Sequence, residues 1–375
     1  MSAFVILAAG RGSRMGRVGD MLPKCLAPLQ DKAVLSHIID AGRSTTRVVI
    51  VTGYKHELVE DYVRLAHPNL DVTFVYANGW DQPGGGPGAS LLAAREAVGD
   101  DDMLYTSCDT IFIPLRQADW TSSWVGVAQV PIGTPPARWC RVRMQQGDQG
   151  AGFLDKVPTE LDVQIAYTGL GYIKSDDLGC FWSGITDGIT RLGELQVTPG
   201  LLRVVEHSQL HAEVVQWTDV GDEEAYRHAV EEFSGYDWVK TGQVTYVLPT
   251  TGRVVKFAED PDVIRRRHER SHALNGMVPK TEWQGRQFIA YDFVPGVTAY
   301  EAVENPGMRG PAAVTEGILK WWQEHVWSTR KPTSPQHRIA ANEFYASKTK
   351  QRIEMLRPDL RARASEAVAR IDMWQ

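Results

Sequence analysis

The sequence predicts an α/β chain: a first domain with a mainly parallel sheet over residues 1–233, followed by a smaller α+β region over residues 238–375. Three observations carry this prediction. Strand-like and helix-like segments alternate from residue 4 to residue 109, and a βαβα order builds a parallel sheet covered by helices on both faces. The first apolar run ends in a glycine-rich turn, Gly10-Arg11-Gly12-Ser13-Arg14. The alternation then stops at Ser234-Gly235-Tyr236-Asp237, a linker after which hairpin-like and helical sequence take over.

Taken in order, residues 4–8 read as a strand, 33–41 as a helix and 47–52 as a second strand closed by Gly53. A helix at 57–65, a strand at 72–76 and a helix at 89–98 follow, and the strand at 103–107 delivers Cys108-Asp109. Ligands of such sheets bind outside the carboxyl ends of the strands, where both the Gly10 turn and Asp109 fall. Longer pieces at 125–130, 139–144 and 166–173 read as added strands on the acceptor side, and Trp217-Thr218-Asp219-Val220-Gly221-Asp222 leads into a helix at 223–233. Beyond the linker, 244–248 and 253–257 form a hairpin pattern around Thr251-Gly252, followed by a basic helix (262–274), a strand (287–293) and mainly helical sequence from 312. Ile318, Trp321, Trp322 and Val326 recur at helical spacing and are expected in a core.

The 375 residues are enough for two domains. With 43% hydrophobic and 23% charged residues, the composition is that of a globular protein. A net charge of −6 argues against a nucleic-acid surface. No apolar run is long enough to span a bilayer, and no signal-peptide pattern opens the chain, so a cytoplasmic enzyme without a membrane partner is expected. The four cysteines lack CxxC spacing, which points to neither a zinc site nor a disulfide framework.

The turn after the first strand exposes backbone N–H groups that can bind phosphate oxygens, while its arginines supply charge. It is not a dinucleotide fingerprint, because Met15 stands where the third glycine belongs, and it lacks the Gly-Lys-Ser/Thr of a Walker A loop. A plain tight turn with solvated arginines would account for the glycines alone. It does not account for their combination with Leu22-Pro23-Lys24-Cys25.

Together, Leu7-Ala8-Ala9-Gly10-x-Gly12-x-Arg14-Met15 and Pro23-Lys24 resemble the signature of the sugar-nucleotide pyrophosphorylase superfamily, over residues 1 to about 233. Ser90-Leu91-Leu92-Ala93-Ala94-Arg95, Ser107-Cys108-Asp109 and Val51-Thr52-Gly53-Tyr54 are similar to bacterial phosphocholine cytidylyltransferases. The resemblance implies a Rossmann-like nucleotidyltransferase domain. It implies nucleotide contacts from Leu7, Ala8, Ala9, Gly10, Arg11 and Gly12, and from the loop bearing Gly86, Gly88 and Ala89. Arg14 is then expected to offset charge on departing pyrophosphate, and Lys24 to meet the α-phosphate and the attacking oxygen.

Such chemistry calls for Mg²⁺, held by one or two carboxylates plus substrate phosphates. Asp109 and Asp219 are the expected ligands, with Asp222 as fallback; Asp109 could otherwise close a turn and Asp222 cap a helix. Gln82-Pro83-Gly84-Gly85-Gly86-Pro87-Gly88, Trp217-x-Asp219-x-Gly221 and Leu154-Asp155-Lys156-Val157-Pro158 instead resemble the sugar-1-phosphate enzymes, where the lysine matching Lys156 meets the acceptor phosphate. The leading expectation is therefore CTP with a small phosphorylated alcohol of the phosphocholine kind. The alternatives are a sugar-1-phosphate nucleotidyltransferase using UTP, GTP or CTP, and a catalytically silent nucleotide-binding module. Trp80, Trp139, Tyr167 and Trp217 could form a cage for a quaternary ammonium, although single aromatics mostly pack.

Residues 240–375 resemble the start of a choline kinase or aminoglycoside phosphotransferase. The resemblance rests on Gly252-Arg253-Val254-Val255-Lys256-Phe257, Arg265-Arg266-Arg267-His268-Glu269, Tyr291-Asp292-Phe293-Val294-Pro295-Gly296 and Phe344-Tyr345-Ala346-Ser347-Lys348-Thr349-Lys350. It implies a Lys256–Glu269 pair that aims the lysine at phosphate. No His-x-Asp-x-x-x-x-Asn loop is present before Gln375. The expectation is thus a truncated bifunctional kinase–cytidylyltransferase or a kinase remnant, without kinase activity in this chain.

Overall fold

The computed structural model describes residues 2–42, 47–113, 115, 118–130, 139–144, 151–154, 165–188, 190, 193–233, 242–274, 276–297, 301–302 and 311–325, with isolated positions beyond. Lys156, the linker 234–237, Val326 and residues 344–350 lie outside the described residues.

The chain begins with β1 (Ser2–Ala8), α1 (Gly16–Met21), β2 (Pro28–Leu29), β3 (Lys32–Ala33), α2 (Val34–Ala41), β4 (Arg47–Thr52), α3 (His56–Ala66), β5 (Val72–Tyr76), α4 (Pro87–Val98), β6 (Asp102–Ser107) and β7 (Thr110–Phe112). Strands β6, β1, β4 and β5 lie side by side and parallel. Residues 3–8 of β1 are buried throughout, as expected of a strand covered on both faces. Helix α3 buries Leu58, Val59, Tyr62, Val63, Leu65 and Ala66 and leaves Glu57 and Arg64 toward solvent, the amphipathic pattern its spacing dictates. The α/β class with a mainly parallel central sheet is the one expected from the sequence.

The next stretch adds β8 (Trp124–Gln129), β9 (Arg141–Met144), β10 (Ala151–Leu154), β11 (Ile165–Ile173), α5 (Ser175–Thr186), α6 (Thr198–His207), β12 (His211–Val214), β13 (Trp217–Asp219) and α7 (Glu223–Glu232). β11 runs antiparallel beside β6, and β8 and β9 pair with β11, so the described residues form a nine-stranded sheet. β13 pairs with β7 in a separate two-stranded sheet, setting Asp219 opposite Thr110.

Strands β14 (Gln243–Leu248), β15 (Arg253–Ala258), β16 (Glu282–Gln284) and β17 (Phe288–Asp292), with α8 (Pro261–Ala273), form a separate antiparallel sheet in the order β14-β15-β17-β16. The expected hairpin is present, with Gly252 at its turn at φ +67°. This sheet is not walled off. Tyr246, Phe257 and Phe288 share a buried cluster with Tyr62, Leu26 and Phe4, and the Tyr62 and Tyr246 rings meet edge to face at 4.9 Å. Accordingly, one compact unit runs Met1–Val294, and the expected boundary at 233–238 falls inside it; Pro295–Gln375 is a second unit.

Within the second unit, α9 (Pro311–His325) matches the expected helix. Its apolar residues are not core: Ile318, Leu319, Trp321 and Trp322 are 41–52% exposed. Periodicity identifies an apolar face, whereas burial depends on a covering element that spacing does not specify.

Candidate functional site

The carboxyl ends of β1 and β6 carry the two ends of one ion pair. Lys24 lies in a single 3₁₀ turn (Lys24–Leu26), and Asp109 lies just past β6. Lys24 Nζ donates to Asp109 Oδ2 at 2.6 Å across 85 residues of sequence, with side chains only 17% and 21% exposed. Burial pulls the Asp109 carboxyl upward, but Lys24, with Arg14 beyond it, holds it below the ordinary carboxylate range. Burial likewise works to lower Lys24, and Asp109 outweighs it, so the ammonium stays charged.

The glycine-rich turn is shaped around that lysine. Gly12 has φ +69°, and a Cβ there would lie 2.8 Å from Lys24 Cβ. Met15, in the place of the absent third glycine, is buried and donates its N–H to Gly12 O at 3.0 Å. Arg11 and Arg14 stay exposed above.

Asp219 arrives from the other side. Pairing of β13 with β7 and the Val220 N–H to Asp109 O bond (3.0 Å) bring it beside Asp109. Its Oδ1 accepts the Gly221 N–H at 2.9 Å, and its Oδ2 accepts Trp139 Nε1–H at 3.2 Å. A Cβ on Gly221 would lie 3.0 Å from Asp219 Oδ1 and 3.2 Å from Asp109 Oδ2, so the two carboxylates share a notch that only glycine leaves open. Asp222, the fallback ligand, caps α7 by accepting the Ala225 N–H at 2.9 Å.

A hard divalent cation fits this donor set. Two carboxylates face one notch, and among the described residues no cluster of three or more His, Cys, Asp or Glu side chains could hold an ion. The remaining positions of an octahedral shell would fall to phosphate oxygens and water, as Mg²⁺ prefers.

Two clefts meet at the notch. The larger, about 600 Å³, is lined by Leu7, Ala9, Gly10, Arg11, Gly12, Arg14, Lys24, Gly86 and Asp109. The smaller, about 180 Å³, is lined by Tyr105, Asp109, Trp139, Tyr167, Thr168, Trp217 and Asp219. Arg14, Asp109 and Gly221 line both. Of the expected nucleotide residues, Ala8 is buried at the end of β1, and Ala89 sits on α4 just behind the lining loop. Gly88 packs on backbone: its Cβ would lie 2.6 Å from Gln196 O, and its N–H donates to Leu195 O at 2.9 Å.

That contact reveals a segment which sequence reasoning missed. Gly84 N–H donates to Gly193 O and Leu195 N–H to Gly85 O, both at 2.7 Å, bringing Glu194 and Gln196 into the larger cleft. No residue pattern in 193–196 signals this. Tyr54, of the Val51–Tyr54 motif, has the Arg11 guanidinium 5.7 Å over its ring and Trp80 edge-on at 5.8 Å. The four-aromatic cage does not form as expected. Trp139, Tyr167 and Trp217 line the smaller cleft while Trp80 lines the larger, because Gly53 seats the Trp80 ring against the β4 end.

Lys256 and Glu269 lie in the β14–β17 sheet and its helix, on elements that contribute no lining residue to either cleft. Glu269 accepts Arg265 Nη1–H at 3.0 Å, an i,i+4 pair on α8, and Lys256 Nζ stands 5.9 Å over the Tyr291 ring.

Residues 4–126, which carry the turn, Lys24 and Asp109, match the family model of the MobA-like NTP transferase domain. The chain resembles solved structures over somewhat more than three fifths of its length. It aligns with a UDP-glucose pyrophosphorylase complexed with UDP-glucose at a TM-score of 0.53 and 16% identity, covering 62% of this chain and 98% of that one. A candidate glucose-1-phosphate thymidylyltransferase from Bacillus anthracis gives 0.53 and 21%, covering 64% and 98%. The fold is the Rossmann-like fold of the nucleotidyltransferases.

Among curated relatives, the bifunctional protein GlmU of Bradyrhizobium diazoefficiens is 37% identical over 116 residues, covering 30% of this chain and 24% of that protein. A D-glycero-alpha-D-manno-heptose 1-phosphate guanylyltransferase from Aneurinibacillus thermoaerophilus is 27% identical over 111 residues, 29% of this chain and 46% of that protein. The GlmU protein of Methanococcus maripaludis is 21% identical over 257 residues, 67% of this chain and 59% of that protein. The chain thus spans from a quarter to three fifths of these relatives' lengths.

Proposed function

We propose that this chain transfers a nucleotidyl group from a nucleoside triphosphate to a sugar 1-phosphate and releases pyrophosphate. The observation that carries the reading is the notch at Gly221, where Lys24–Asp109 and Asp219 meet at the junction of two clefts. A triphosphate lying over Gly10–Arg14 in the larger cleft would present its α-phosphorus at that junction. The acceptor phosphate would enter from the smaller cleft. An acceptor oxygen then forms the new bond to the α-phosphorus as the bond to the bridging β-phosphate oxygen breaks, and the electron pair leaves with pyrophosphate.

The protein's work is positioning and charge compensation. Exposed N–H groups of the turn hold phosphate oxygens, Arg14 offsets charge on the leaving group, and Lys24 stands where the α-phosphate and the attacking oxygen meet. Lys156 is assigned to the acceptor phosphate on the sequence resemblance. Asp109 and Asp219 would hold Mg²⁺, which when bound supplies further compensation of phosphate charge.

The phosphocholine expectation is corrected in favour of a sugar 1-phosphate. The relatives whose names state a substrate are a heptose 1-phosphate guanylyltransferase, a candidate glucose-1-phosphate thymidylyltransferase and a UDP-glucose pyrophosphorylase complexed with UDP-glucose. The glycine-rich 82–88 loop and Trp217-x-Asp219-x-Gly221, which had pointed to sugar-1-phosphate enzymes, both build cleft walls here. CTP loses its preference with the phosphocholine acceptor, and the kinase-like reading of the C-terminal region gains no support.

The test is pyrophosphate release with Mg²⁺ and each of UTP, dTTP, GTP and CTP against a panel of sugar 1-phosphates and phosphocholine. Release with a sugar 1-phosphate is expected. Release with phosphocholine alone would overturn the acceptor, and nucleotide binding without release from any pair would favour a silent binding module.

A further inference from the structure

Trp139 lies two residues before β9, far in sequence from the strand it touches. Its Nε1–H donates to Asp219 Oδ2 at 3.2 Å, and its ring meets Trp217 edge to face with centroids 5.2 Å apart at 69°. Trp217 and Asp219 are alternate residues of β13, so their side chains leave the same face of the strand. One indole therefore closes over both. With Gly221 N–H on Oδ1 and Trp139 on Oδ2, both oxygens of the Asp219 carboxylate are tied and its plane is set toward the notch. Both indoles, with Tyr167, line the smaller cleft.

Resting on the nucleotidyltransferase reading above, we propose that Trp139 is a positioning residue with two tasks: its N–H orients Asp219, and its ring with Trp217 forms the wall against which the apolar C–H face of the acceptor sugar lies. Aromatic faces favour such a surface because both partners leave water on contact. Seating the acceptor and aiming a metal carboxylate would thus depend on the same side chain. A single-ring substitute can retain the wall without the N–H, which separates the two tasks experimentally.

The experiment compares full-length wild type, Trp139→Phe and Trp139→Ala, with circular dichroism to verify folding. Uptake of Mn²⁺ is followed by loss of the free-ion EPR signal in the presence of the α,β-methylene analogues of UTP, dTTP, GTP and CTP, and acceptor KM is taken from pyrophosphate release. Trp139→Phe should weaken Mn²⁺ uptake about tenfold, the effect of one hydrogen bond to a charged group, while acceptor KM stays within about twofold. Trp139→Ala should weaken both. Wild-type Mn²⁺ affinity in Trp139→Phe would overturn the positioning role, and unchanged acceptor KM in Trp139→Ala would overturn the wall. Wild-type protein that takes up Mn²⁺ with an analogue yet releases no pyrophosphate from any pair would overturn the wall together with the reaction, while the Mn²⁺ comparison would still decide the role at Asp219.

Discussion

The β6-β1-β4-β5 layer and the β14–β17 sheet both bury apolar strands in one shared core, yet they handle charge in opposite ways. In the parallel layer β1 and β6 end on the same side, so the turn after one and the aspartate after the other converge, and Lys24 and Asp109 pair across 85 residues. Antiparallel strands end on alternate sides, and the charges of the second sheet are dispersed. Arg253 bonds Glu282, Asp292 and the Leu65 carbonyl, Glu269 takes Arg265, and Lys256 lies over Tyr291. Similar residue types thus make a cleft in one region and a brace in the other. Tyr246 makes the brace tangible: its hydroxyl donates to Leu26 O at 2.6 Å, two residues from Lys24.

The comparison breaks first at Asp109. Asp109→Asn should reduce pyrophosphate release about a thousandfold or more, by removing a carboxylate proposed to hold Mg²⁺ and depriving Lys24 of its partner. Normal turnover would remove Asp109 from the site. The bracing role is probed by Arg253→Ala, which deprives the buried Leu65 carbonyl of its donor and should cost about 2 kcal/mol in urea unfolding, within a single transition. A separate transition assignable to residues 243–293 would mean the sheet is an independent body.

A smaller effect tests the border between the regions. Burial depresses His37, whose Nε2–H donates to Leu29 O, from 6.5 to about 4. The unfolded chain takes up a proton first as pH falls, so stability present above pH 6.5 declines progressively toward pH 4. The decline should be about 1–2 kcal/mol, allowing for partial solvent screening, and His37→Gln should flatten it in unfolding curves taken across that range. The smallest expected effect is the sharpest for the kinase resemblance. Lys256→Ala should leave pyrophosphate release within about twofold of wild type, since neither its strand nor its helix neighbour contributes a lining residue to either cleft, and a large loss would place Lys256 in the working site.

Much of the first region was legible because its signals are local. The run from Phe4 to Ala8, the Gly10–Arg14 turn and the position of Asp109 after a strand follow from apolar periodicity and glycine spacing, which act over a few residues. The 193–196 segment was not legible, because its place is set by backbone bonds to Gly84, Gly85 and Gly88 that any sequence could make. Trp80 was grouped with the wrong partners for a related reason: an aromatic residue advertises that it packs, not against what. The exposed face of α9 makes the same point from the other side.

The sequence by itself determined the α/β class, the glycine-rich turn after the first strand and which side chains could carry charge to it, since φ/ψ preference, hydrophobic period and side-chain chemistry are properties of short segments. Only the tertiary structure decided that Asp219 rather than Asp222 faces Asp109, that Trp139 holds Asp219, and that the β14–β17 sheet belongs to the same compact unit. Those outcomes depend on strand pairing and burial between residues far apart in the chain. There the energies are those of desolvated charges and packed rings, which no local pattern encodes.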